Sequence, residues 1–150
     1  MNITRSLALS SIIVWGVLQN TQLLAAGDVT PENADGFLVL DDKCRLPIKE
    51  AVYVPTSEGC RWFSLDHGFK LEKVRSAVTI VFRANNMEGK YTTVTIRTIK
   101  DKVSTANLTF NQLLHYPPNT PFFPGLLFVG VVDNRGPSEW VRDIIIHMDN

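Results

Sequence analysis

Apolar residues occur along this chain in short runs, each stopped by turn formers, and within the runs the spacing is two rather than three or four. From Val74 to Arg83, the set Val74, Val78, Ile80 and Phe82 falls on one side and Arg75, Thr79 and Arg83 on the other, as in a half-buried strand. The chain turns through Asn85-Asn86-Met87-Glu88-Gly89, and Tyr91 to Ile99 returns, rich in β-branched Thr, Val and Ile. The two runs predict a hairpin whose loop is longer than the tight two-residue type. Phe37-Leu38-Val39-Leu40 stops at Asp41-Asp42, Ala51-Val52-Tyr53-Val54 at Pro55, and Cys60-Arg61-Trp62-Phe63-Ser64-Leu65 at Asp66-His67-Gly68. Further on, residues 106–110 alternate, with a last strand residue or one helical turn expected within Asn111 to Tyr116. Leu126 to Val132 reads as a buried strand, Asp133-Asn134-Arg135-Gly136-Pro137 as a turn, and Trp140 to Met148 as a final strand. In that last strand Trp140, Arg142, Ile144, Ile146 and Met148 are assigned to one face, and Val141, Asp143, Ile145 and His147 to the other.

About eight short strands with little helix predict a mainly β fold, a single-domain antiparallel β-sandwich, with a small β-barrel as the alternative. An immunoglobulin-like topology is one form such a sandwich can take, although the disulfide that marks those domains joins distant strands. Between the strands, Pro117, Pro118, Pro121 and Pro124 fall within eight positions. Lacking amide donors and restricting their predecessors, they predict an irregular loop there.

The first 26 residues stand apart. Met1 to Arg5 carry one positive charge and no acid, Leu7 to Leu18 are almost all apolar or small, and Leu23-Leu24-Ala25-Ala26-Gly27 offers small residues at a cleavage point after Ala26. The apolar run has the length of a signal-peptide core and falls short of the ~20 residues that span a bilayer. Residues 1–26 are therefore expected to be a cleaved export signal, 27–36 a flexible lead-in and 37–150 the folded domain. A stable membrane anchor is not expected, since the proposed cut has no lipid-accepting cysteine and the run beginning at Pro124 is too short to span.

Export changes how the two cysteines read. Cys44 and Cys60, an even pair in an oxidising compartment, are expected to form a disulfide whose loop spans a strand and its connections. All fifteen acids follow residue 26 while Arg5 precedes it, leaving fourteen bases and a net charge of about −1. A nucleic-acid partner held through phosphate contacts would favour a basic patch, so none is expected.

Candidate chemistry is sparse. His67, His115 and His147 have no metal-ligand spacing, and no metal or other cofactor is expected. Ser57, Ser64, Ser76, Ser104 and Ser138 lack the Gly-x-Ser-x-Gly elbow. Asp66-His67-Gly68 sits where a turn is wanted, and Asp41-Asp42-Lys43 reads as a strand-ending turn. Asn107-Leu108-Thr109 is a glycosylation sequon whose use depends on the source.

The Pro-rich loop is the most suggestive segment. His115, Tyr116, Phe122 and Phe123 lie among its prolines, and stiffened aromatics make contacts at low entropic cost. The competing role for Tyr116, Phe122 and Phe123 is to fold back and cap the sandwich. The sequence predicts an exported binding module for a protein or glycan, such as an inhibitor, an immunity protein, or an adhesion or toxin-binding subunit. The rival class is a small exported hydrolase or metal-dependent enzyme built on the three histidines.

Overall fold

The computed structural model describes residues 35–86, 88–133 and 140–149. The expected export signal, most of the expected lead-in and most of the expected Asp133–Pro137 turn lie outside the described residues. The strands are β1 (Phe37–Leu40), β2 (Cys44–Pro47), β3 (Ala51–Tyr53), β4 (Gly68–Glu72), β5 (Val78–Asn85), β6 (Tyr91–Thr98), β7 (Leu108–Thr109), β8 (Thr120–Phe123), β9 (Leu126–Asp133) and β10 (Trp140–Met148). One helical turn, α1 (Phe110–Leu113), follows β7. All pairings are antiparallel, in a four-stranded sheet of order β2-β1-β4-β7 and a six-stranded sheet of order β3-β10-β5-β6-β9-β8. The two layers pack as a β-sandwich, with no closed barrel among the described residues.

The core follows the period-two pattern. Val78, Ile80 and Phe82 on β5 are fully buried, as are Val94 and Ile96 opposite them on β6, and Leu71 and Phe69 cover them from β4. Phe69, Phe82 and Phe110 meet with ring centroids 4.9–5.1 Å apart, joining the two sheets through α1. The β5–β6 hairpin has the expected loop, beginning at Asn86, whose Oδ1 accepts the Glu88 and Lys90 amides at 3.0 and 2.9 Å. Asp41 and Asp42 take left-handed φ of 50° and 54° in the β1–β2 turn, a conformation that short polar side chains tolerate.

Several expectations are corrected. Residues 60–65 are not a strand: their only sheet-type pairing among the described residues is the isolated Ser64–Trp140 bridge, with Phe63 buried and Trp62 exposed. The sequence pattern does not predict β2 or β4, and the cysteine loop encloses most of β2 and all of β3. The Pro-rich stretch includes a strand, β8, because it lies at the sheet edge and pairs on one side only, where a missing amide is tolerated. β9 is buried on one face, with Leu126 and Phe128 fully enclosed and Val132 56% exposed. In β10 a bulge between Val141 and Asp143 moves the phase by one residue. Val141, Ile144 and Ile146 therefore face inward, while Asp143 pairs across from Arg83 on the outside.

Two carboxylates fasten loops to strand ends. Glu50 accepts the Met148 amide at 2.6 Å and the His147 Nδ1 contact at 3.0 Å, and these hold its pKa below the ordinary value. Asp101 accepts the Ser76 amide and hydroxyl at 2.8 and 2.9 Å, and its pKa is likewise lowered. A carboxylate with a depressed folded value stabilises the fold above its unfolded pKa, and that contribution is lost as pH falls through the folded one. The urea midpoint is thus expected to fall between about pH 5 and pH 3, and to fall less in a Glu50→Gln, Asp101→Asn variant. Equal slopes in the two proteins would remove these groups from the account of acid stability.

Candidate functional site

The outer faces of the two sheets differ in kind. On the four-stranded sheet, Arg45 pairs with Glu72 at 3.0 Å and lies 3.5 Å over the Phe37 ring, while Lys70 bridges to Asp42 at 2.8 Å. Lys70 is consequently held above its ordinary pKa, chiefly by that Asp42 bond. This face is charged and internally paired. The six-stranded sheet instead leaves large apolar and aromatic groups in solvent, including Val52, Tyr91 and Val132 at 59%, 54% and 56% exposure.

At one end of that sheet the register brings distant residues into a row. Trp140 pairs with Asn85, and Asn85 with Tyr91. Val141 points into the core, so its neighbour Trp140 faces outward. The next row is Asp143, Arg83 and Thr93. The Asp143 carboxylate is buried and accepts from Arg83 Nε, with Arg142 Nε 3.7 Å from its second oxygen. One acid thus orients two guanidinium groups. Arg83, Asn85, Tyr91 and Arg142 line a groove of about 510 Å³ there.

Beside the row stands Trp62, 68% exposed, with its ring 4.6 Å from that of Trp140 and the two planes 85° apart. Trp62 is held in place from both sides. Phe63 is buried against Phe110, with centroids 6.0 Å apart, and its carbonyl accepts the Val141 amide at 2.8 Å. Cys60, two residues earlier, is buried and disulfide-bonded to Cys44 at the start of β2, with Cα atoms 5.2 Å apart. Trp62, Trp140, Ser64, Asp66 and His67 line a cleft of about 230 Å³.

Ser64, Asp66 and His67 meet here because a turn gathers them. The Asp66 amide donates to Ser64 Oγ at 3.3 Å and the His67 amide to the Ser64 carbonyl at 3.0 Å. The His67 ring packs against Phe63 at 5.8 Å, and no hydrogen bond among the described residues joins it to the Ser64 hydroxyl. The turn therefore presents a hydroxyl, a carboxylate and an imidazole to the cleft. His147 is engaged with Glu50, and His115 lies exposed after α1. No three His, Cys, Asp or Glu side chains group as metal ligands among the described residues.

Tyr116, Phe122 and Phe123 lie at the β8 edge, across the six-stranded sheet from Trp62. Phe122 and Phe123 are half-buried against the core, and Tyr116, 39% exposed, packs at a tilt against Phe122 with ring centroids 5.8 Å apart. Nothing in the sequence pattern singles out Trp62, Trp140, Tyr91, Arg83 and Arg142. No motif or spacing joins them in the sequence, and only the strand register and the Ser64–Trp140 bridge unite them.

Comparison of the chain with protein-family models, with curated proteins and with solved structures finds no match. The disulfide is formed, and no helix among the described residues is long and apolar enough to cross a membrane.

Proposed function

We propose that this protein is a non-catalytic binding module that works outside the cytoplasm and recognises a protein or glycan through the Trp62, Trp140 and Tyr91 end of its six-stranded sheet. The observation that carries this reading is Trp62, a large side chain 68% exposed on an immobilised segment. Solvent exposure of an indole contributes nothing to folding, whereas Trp, Tyr and Arg provide most of the binding energy at recognition surfaces. Export is supported by the signal-like pattern of residues 1–26 and by the Cys44–Cys60 bridge, which persists in oxidising compartments. The loop with His115, Tyr116, Phe122 and Phe123 serves in this reading as a separate contact surface at the opposite edge.

Retention of the purified protein on panels of immobilised extracellular proteins and glycans tests the assignment. The Trp62→Ala, Tyr91→Ala double variant is expected to keep its β-sheet circular dichroism and melting cooperativity while losing retention at least tenfold, the effect of truncating a central aromatic contact. Undiminished retention by the folded double variant would move recognition elsewhere, and its loss in a Tyr116→Ala, Phe122→Ala variant would assign it to the β8 edge.

A further inference from the structure

We infer that the Trp62–Trp140 cleft is a carbohydrate site that takes one neutral hexopyranose unit of a glycan, an inference that rests on the binding role proposed above and names its ligand. The lining carries the argument. Two indoles, a hydroxyl, a carboxylate and an imidazole surround the cleft, with no aliphatic side chain among the described residues. Protein interfaces are depleted in Asp and Ser at their centres and surround an aromatic anchor with contacts that exclude water. A pyranose instead presents a face of C–H groups edged by hydroxyls, and needs aromatic and hydrogen-bonding groups side by side.

The geometry matches that requirement. With planes 85° apart and centroids 4.6 Å apart, the indoles form a corner instead of a parallel stack. The negative face of an indole attracts the weakly positive C–H hydrogens of a sugar ring. Asp66 is exposed and makes no ion pair among the described residues, so its two oxygens are free to accept neighbouring hydroxyls. Ser64 and His67 extend the same polar edge. The unpaired Asp66 charge also selects against carboxylated or sulfated sugars, because like charges in one cleft repel. At about 230 Å³ the cleft is smaller than the ~300–1,000 Å³ of sites for drug-sized ligands, and suits a single ring. Anchoring of Trp62 by Cys60 and Phe63 lowers the ordering cost of binding.

The test is a titration of the oxidised protein with glucose, galactose, mannose and N-acetylglucosamine, with glucuronic acid as the anionic control, read by tryptophan emission. At least one neutral sugar is expected to shift the emission saturably at millimolar concentration, and glucuronic acid to bind about tenfold more weakly or worse. Trp62→Ala should abolish the response, Trp62→Phe retain part of it, and Asp66→Asn weaken it about tenfold, as for a lost hydrogen bond to a charged group. Lys73→Ala, an exposed change outside the cleft, should leave the response intact. Failure of every neutral sugar to move the emission overturns the inference, as does a response insensitive to Trp62→Ala. If sugars fail while a protein partner still depends on Trp62, the carbohydrate assignment falls and the binding face stands. If no ligand of any kind depends on Trp62, both fall.

Discussion

Phe110→Ala is expected to remove roughly 3–5 kcal/mol of stability, the cost of deleting a large buried aromatic and leaving a cavity. Phe110 is 1% exposed and touches three rings: Phe69 from the four-stranded sheet, Phe82 from the six-stranded sheet, and Phe63 beside Trp62. Each aromatic pair adds about 0.5–1.5 kcal/mol beyond its buried area, which puts the loss toward the upper end. Against a total of ~5–15 kcal/mol for an ordinary domain, that is a large share. The melting temperature should fall by roughly 10 °C or more, measured by circular dichroism or calorimetry. Phe110→Leu, which refills most of the volume, should recover more than half of the loss. A Phe110→Ala protein that melts near the wild-type temperature would mean that the sheets hold together without the aromatic hub.

Phe110 also illustrates what could be read in advance. The alternation of residues 106–110 predicts a strand through Phe110, with any helical turn beginning only at Asn111. In the structure Thr109 caps a helical turn: Gln112 N donates to Thr109 Oγ1 at 3.4 Å, and Thr109 N to Gln112 Oε1 at 3.0 Å. The Thr-x-x-Gln signature of that capping box was present in the sequence. Strands with regular alternation and clear turn residues, such as β5 and β6, were legible because local pattern and tertiary burial agree there. β8 was not, since its proline is compatible with a strand only at an edge, and edge position is a property of the whole sheet. Strict alternation mispredicts the faces of β10 for a related reason, because the bulge at Val141/Asp143 breaks the period of two. The candidate site was least legible of all. Trp62, Tyr91 and Trp140 are far apart in sequence, and neither composition nor motif spacing links them. What links them is the pairing of β10 with β5 and of β5 with β6, together with a segment after Cys60 that departs from strand geometry.

That departure ties the disulfide to the site. Replacing Cys44 and Cys60 together by Ser is expected to lower stability by about 3 kcal/mol on the chain-entropy account of a loop of this size. A second effect follows from position, because Cys60 is buried and lies two residues before Trp62. Without the bridge, the backbone at Trp62 is tied to the sheet, among the described residues, from its C-terminal side by the Phe63–Val141 bond and the Ser64–Trp140 bridge, while its ring keeps the Trp140 contact. The residues on its N-terminal side keep the turn bond from Cys60 N to the Pro55 carbonyl, which is local and does not tie the segment to β2. The near-UV circular dichroism of the edge-on indole pair should therefore weaken in the double variant at temperatures where the far-UV β signal is intact. Binding that depends on Trp62 should weaken with it, since the segment must then be ordered on binding. The urea midpoint measures the first effect, and near-UV dichroism with a binding titration measures the second. If stability falls but the indole signal and binding persist, the disulfide serves the fold alone. If both fall together, the bridge positions the site, and oxidation outside the cytoplasm becomes a condition for recognition as well as for stability.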